Sequence, residues 1–154
     1  MSVIFRPFDA LDAVRIDVQD SQRVQAGRVQ HGVTMPEAVE LERSGPAWTC
    51  ESAGRILAVF GLMTLFRDDA GNPVHAQAWV IMADDIAVSA KRALTRKVAA
   101  ILAESPLRRI DAFVHADNPS EAQWARLCGL RHCASLTGFG AMGETVDMYE
   151  RVRL

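Results

Sequence analysis

The run from Arg55 to Phe66, RILAVFGLMTLF, constrains this chain more than any other stretch. Ile, Leu, Val, Phe and Met fill both sets of alternate positions, so the segment suits a central strand with both faces covered. Such a strand needs neighbours. Ala47 to Ser52 alternates Trp48, Cys50 and Ser52 against Ala47, Thr49 and Glu51, and Ala53-Gly54 then turns the chain back. On the other side, Asp68-Asp-Ala-Gly-Asn-Pro73 reads as a hairpin loop and Val74 to Met82 as the returning strand. An antiparallel meander results, with Gly61 expected to mark a bulge in its middle strand.

The first segment of the chain is a strand, Val3 to Phe8, stopped at Pro7. Asp9 caps a following helix whose stripe is Leu11, Val14 and Val18. Ser21 to Gly32 is polar and reads as an exposed helix or loop; Pro36, Val39 and Leu41 make a second short helix, ended by Ser44-Gly45-Pro46. After the meander the pattern alternates helix and strand. Leu94, Val98, Ile101 and Leu102 form one stripe of an amphipathic helix from Val88 to Glu104, stopped by Pro106. Arg109 to Val114 is a short strand, reached by a helical crossover of the length that parallel connections use. Asn118-Pro119-Ser120-Glu121 starts the next helix, and the Asn and Glu are spaced for reciprocal capping. Gly129 closes that helix in the left-handed conformation. Two strands follow, Ala134 to Phe139 and Val146 to Arg151, around the glycine-rich Gly138 to Gly143.

Composition narrows the function classes. A chain of 154 residues that is 49% hydrophobic and 23% charged can bury a core without staples. Disorder, collagen-like sequence and a disulfide-framed miniprotein are excluded. A net charge of −2 is too balanced for a protein whose main work is coating phosphate backbones. Cys50, Cys128 and Cys133 form no C-x-x-C pair and read as reduced thiols. No signal peptide is expected at the amino terminus. The longest apolar stretch falls well short of the roughly 20 residues that span a bilayer. The expectation is one cytoplasmic domain over residues 1–154.

The order of elements, with Asp117-Asn118 and Cys128-Gly129-Leu130 at the two ends of the last helix, resembles the GNAT superfamily of acetyl-CoA-dependent N-acetyltransferases. The meander from Trp48 to Leu62 is similar to that family's second and third strands. The resemblance implies an α/β (α+β) architecture, the acyl-CoA N-acyltransferase fold, with a mixed central sheet and helices on both faces. It implies acetyl-CoA held where the fourth and fifth strands splay, near Ile81 and Met82, with its pyrophosphate at the start of the long helix and Asn118 nearby. Oriented N–H groups and the helix dipole bind such an anion. In the family, glycines let the backbone approach the phosphates. This chain has Asp84-Asp85-Ile86-Ala87-Val88-Ser89-Ala90-Lys91-Arg92 there, without a glycine. Asp84 and Asp85 bring negative charge, though both are placed to cap the helix; Ala87, Ser89 and Ala90 are small enough for backbone approach, and Lys91 and Arg92 offer countercharge. An ordinary capped helix with a solvated basic face is the other reading of the same loop.

Acetylation of an amine needs a base for the ammonium and an acid for the leaving thiolate. The family's helix tyrosine falls at Ala125, beside Trp124, and the one tyrosine of the chain is Tyr149. The fourth strand carries no Asp or Glu. His115, at the end of the fifth strand, is the leading candidate for the base, since a neutral imidazole suits that work near pH 7. His75 and Glu51 are weaker candidates; Cys128 and Cys133 read as core rather than nucleophiles; Trp48 and Trp79 read as packing residues, either of which could line an acceptor pocket. Lys91, Arg92, Arg96, Lys97, Arg108 and Arg109 invite a nucleic-acid reading, but no interleaved aromatic surface accompanies them. Two functions therefore stand open. One is an acetyl-CoA-dependent N-acyltransferase acting on an unidentified small-molecule or protein amine. The other is an inactive member of the kind that tailed phages encode, a scaffold with a homo-oligomeric or virion partner.

Overall fold

A computed structural model of the chain describes residues 2–16 and 33–154. Val18 and the Ser21 to Gly32 segment lie outside them. The described residues form β1 (Ile4–Pro7), α1 (Ala10–Arg15), α2 (Met35–Arg43), β2 (Ala47–Ser52), β3 (Arg55–Arg67), β4 (Pro73–Met82), α3 (Val88–Glu104), β5 (Arg109–His115), α4 (Pro119–Leu127), β6 (Arg131–Leu136) and β7 (Val146–Val152). The strands join one seven-stranded mixed sheet in the order β1-β2-β3-β4-β5-β7-β6. By internal contacts the chain divides into two compact units, Met1–Met63 with Trp79–Ala93, and Thr64–Ala78 with Leu94–Leu154.

In the first unit, Ala53 and Gly54 both take positive φ, +50° and +78°, the mirror-image turn whose twist matches that of paired strands. β1 pairs antiparallel with β2, and β2 with β3. The expected bulge is present but misplaced in the sequence reading. Cys50 faces Ala58 and Glu51 faces Ile56, so Leu57 is the extra residue, while Gly61 pairs regularly with Ala47. Gly61 serves close approach instead: a Cβ there would stand 2.7 Å from the Pro46 carbonyl oxygen and 2.9 Å from Trp79 Cζ2. Both short helices start on reciprocal capping boxes, Asp9 with Asp12 and Thr34 with Glu37. Their small apolar residues Ala10, Ala13 and Ala38 let Phe8, Val33 and Val59 close the core, with Trp79 edge-on to Phe8. Each large apolar side chain buried this way contributes about 1.5–3 kcal/mol.

The second unit is built around β5. Its parallel ladder with β4 spans His75–Gln77 against Arg109–Asp111, whereas the antiparallel ladder with β7 runs its whole length, from Arg109–Val152 to His115–Val146. Pro106 ends α3 as expected, and Arg151 of β7 donates to the carbonyls of Ser105 and Leu107 at 3.1 and 2.8 Å, tying that corner down. Gly129, at φ +94°, closes α4. The chain therefore turns into β6 at once, so this strand lies at Arg131–Leu136 rather than the expected Ala134 to Phe139. Gly138, at φ +68°, then bends the chain into the loop before β7. Trp124 of α4 donates its indole N–H to Thr95 Oγ1 at 2.8 Å, which fixes the helix against the middle of α3.

Candidate active site

Two places in the molecule concern the chemistry that the sequence suggests. The first is the start of α3. Ala83 is buried and donates its N–H to the Leu57 carbonyl at 2.9 Å; the Asp84 carbonyl accepts from Arg55. Asp85 takes φ +53°, a left-handed conformation that Asp tolerates better than most residues. Ile86 packs into a cluster with Ile16 and Ala83, which Ile56 and Ile81 flank, so its side chain is committed to the core. Met82 is buried as well. The expectation that Asp84 and Asp85 cap the helix is corrected. Neither carboxylate has a hydrogen-bond partner among the described residues, and the first turn itself contains no acid. The first intrahelical bond runs from the Lys91 N–H to the Ala87 carbonyl. The N–H groups of Val88 and Ser89 thus belong to the unpaired set that every helix start leaves. Ala87, Val88, Ser89, Lys91 and Arg92 are all exposed.

These features fit a phosphate-bearing group. Small exposed residues, unpaired N–H donors, the positive helix end and two cations in the first two turns are a donor set for an anion. Asp85 is the feature that opposes it.

The second place is the end of β5. His115 is 7% exposed at its side chain. Its own N–H donates to Glu121 Oε2 at 2.8 Å, and its Nδ1 lies 3.4 Å from the same oxygen. Asn118 does cap α4, accepting from the Glu121 N–H at 3.3 Å. The reciprocal half of the expected capping pair is absent, because the Glu121 carboxylate is turned to His115. On the other side of the imidazole stands Glu144, from the loop before β7. Its Oε2 accepts from the Met142 N–H at 2.8 Å, and its Oε1 lies 3.9 Å from His115 Nε2. That separation exceeds a hydrogen bond. Both His115 Nε2 and Glu144 Oε1 are buried with no hydrogen-bond partner. Gly140 makes the arrangement feasible, since a Cβ there would fall 2.0 Å from Glu144 Cδ and Oε1. Nearby, Phe139 stacks on Phe113 with centroids 5.4 Å apart, and Phe139 and Met142 are exposed.

The remaining candidates are occupied elsewhere. His75 Nε2 sits 2.6 Å from Asp111 Oδ2, its ring stacked on Phe66. Asp111 also faces Arg109 Nε at 2.6 Å, and Arg109 reaches Glu150 at 2.8 Å. Four residues of extended β5, about 13 Å, separate this ion network from His115. Arg109 is therefore committed to two carboxylates. In the first unit, Glu51 pairs with Arg6, whose guanidinium also grips Asp12 at 2.8 and 2.9 Å. Thr49 donates to the same Asp12 at 2.7 Å, and the Asp9 N–H donates to it at 3.1 Å. Burial pushes the Asp12 carboxyl up, but the hydrogen bonds from Arg6, Thr49 and the backbone outweigh it and hold its pKa below the usual value. An open cavity of about 470 Å³ lies beside this node, with Arg15 and Arg55 also on its wall.

Burial raises the thiol of Cys50 to about 11 and that of Cys128 to about 12, and it also raises Cys133, so none is a ready nucleophile at neutral pH. Trp48 stacks on Phe60 and Trp79 belongs to the core beside Phe8. Ala125 is buried, and Tyr149, also buried, accepts a hydrogen bond from Arg126 at its hydroxyl. No described helix is long and apolar enough to cross a membrane, and no group of three or more His, Cys, Asp or Glu suited to a metal ion occurs among the described residues.

No protein-family model matches the sequence, and no curated protein sequence matches it. Solved structures do. Ard1 from Thermoplasma volcanium is similar with a TM-score of 0.75 at 15% identity, over 100% of this chain and 99% of that one. A GNAT superfamily phosphinothricin acetyltransferase from Sinorhizobium meliloti, solved in complex with AcCoA, gives 0.73 at 13% identity, over 99% and 89%. An N-acetyltransferase from Staphylococcus aureus Mu50 gives 0.70 at 14%, over 99% of each chain. Over its whole length, this chain has the fold of the GNAT acetyltransferases, the acyl-CoA N-acyltransferase fold that its element order leads one to expect.

Proposed function

We propose that the protein is an acetyl-CoA-dependent N-acyltransferase acting on an amine. The observation that carries this reading is the start of α3, where uncapped N–H groups, small exposed side chains and Lys91 and Arg92 coincide in a GNAT fold. Val88 and Ser89 would hold the pyrophosphate through their N–H groups, and Lys91 and Arg92 would neutralise it. Ala87 leaves room for the approach. Ile81, Met82 and Ile86 support this segment from the core, and Asn118 fixes the start of α4 beyond His115. Acetyl-CoA, when bound, supplies an activated acyl carbonyl. The chain's own contribution is to bind the anion, orient the amine and take up its proton, for which His115 is the leading group.

Calorimetry with acetyl-CoA tests the reading. Saturable binding is expected, weakened by Lys91→Glu with Arg92→Glu, and absence of binding at millimolar ligand would overturn it. A second reading, a scaffold without activity, rests on Ala125 standing where the resemblance implies a tyrosine acid, with the hydroxyl of Tyr149 buried and bonded to Arg126. Bound acetyl-CoA without acetylation of any amine would favour it.

A further inference from the structure

The end of β5 carries a feature that acetyl transfer does not by itself explain. His115 Nε2 and Glu144 Oε1 face each other at 3.9 Å, both buried and both without a hydrogen-bond partner. Leaving two such atoms unpaired costs on the order of 1–3 kcal/mol each, so a fold tolerates them chiefly where something else is to be met. The pair is also built. Glu121 holds one side of the imidazole, the Met142 N–H holds one oxygen of Glu144, and Gly140 leaves the space that the Glu144 side chain occupies.

The order of the two groups from the surface inward decides their parts. The Glu144 side chain is 20% exposed and lies on a glycine-rich loop, whereas His115 is 7% exposed. We infer that Glu144 receives the ammonium of a primary amine, with His115 as the positioning residue that shares the proton. The exposed Phe139 and Met142 on the same loop fit an amine carried on an apolar or aromatic group. This inference rests on the acetyl-transfer reading for its chemistry but not for binding.

The proton balance is simple. One N–H bond of the ammonium breaks, the proton passes to the Glu144–His115 pair, and the nitrogen lone pair is freed to form the amide bond to the acyl carbon. The acyl C–S bond breaks, the leaving thiolate takes the second proton from nitrogen, and the pair returns the first to solvent.

The test is an NMR titration of the protein, without acetyl-CoA, using phenethylamine, its uncharged analogue phenethyl alcohol, and butylamine. Phenethylamine is expected to shift the Met142 and Gly140 amides and the His115 imidazole saturably; the alcohol is expected not to, and butylamine to bind more weakly. Glu144→Gln keeps the shape and an acceptor for the Met142 N–H, and it should weaken phenethylamine roughly tenfold or more, the effect of losing a charge-assisted contact. Gly140→Ala, which displaces Glu144 without altering any charge, should do the same. Equal binding by the alcohol, or unchanged binding in Glu144→Gln, overturns the inference. Amine binding that persists while acetyl-CoA fails to bind would sink the transfer reading and leave the amine site standing; the reverse result sinks the amine site alone. In turnover, Glu144→Gln should raise KM for the amine and lower kcat, and His115→Asn should lower kcat with KM little changed.

Discussion

Two charge clusters among the described residues, Asp12 in the first unit and His115 with Glu144 in the second, are finished to different degrees. Asp12 takes hydrogen bonds from Arg6, Thr49 and the Asp9 N–H, so both of its buried carboxylate oxygens have donors. At His115, Glu121 satisfies one side and the facing atoms on the other side stay unpaired. The first arrangement serves stability, and the gap in the second is the one that the inferred amine would fill.

The largest effect should follow from breaking the finished cluster. Asp12→Ala leaves Arg6 without its main partner, empties the Thr49 bond and removes half a capping box; a loss of about 3 kcal/mol is expected in urea unfolding. A loss under about 1 kcal/mol would erase the contrast. Next come the two glycines whose Cβ would collide. Gly61→Ala meets backbone and the Trp79 ring and should cost about 2 kcal/mol. Gly140→Ala meets only the movable end of Glu144 and should cost well under about 1 kcal/mol while weakening amine binding roughly tenfold or more. Acid supplies a smaller test of the first cluster. The Asp12 carboxyl is held below its ordinary value, so its contribution is fully present above the ordinary carboxyl range and lost as pH falls through the depressed folded value. Urea midpoints should therefore decline below about pH 4, and Asp12→Asn should flatten that decline. The smallest change belongs to Glu144→Gln. Removing an incompletely paired buried carboxylate should alter stability by less than about 0.5 kcal/mol, or raise it, and a large loss would place Glu144 among the structural residues instead.

Much of the fold was legible because it is written locally. The Ala53-Gly54 turn, the two-faced apolar run of β3, the Asn118 cap and the Gly129 stop each depend on a few adjacent residues, and all stand where the pattern puts them. The same locality misled at Glu121. Spacing makes it half of a capping box, but a second donor, the His115 N–H, competes for the carboxylate and wins. Gly61 offered the same ambiguity, since a glycine inside a strand signals a bulge or a close neighbour, and only the positions of Pro46, Ala47 and Trp79 decide between them. His115 could be singled out by residue type and strand position. Glu144 could not, because nothing in Gly-Ala-Met-Gly-Glu says that the loop folds its acid back over Gly140 toward a histidine 29 positions away.

The backbone at Asp85 has a consequence of another kind. Its φ of +53° is a conformation that glycine adopts without strain and other residues adopt at a cost on the order of 1 kcal/mol. The loop before α3 thus holds a glycine-like backbone conformation at one position although its sequence contains no glycine. A sequence motif is written in residue types, and a conformation of this kind at an aspartate leaves no mark in it. Asp85→Gly would relieve that strain and remove one negative charge from the segment ahead of the helix in a single step.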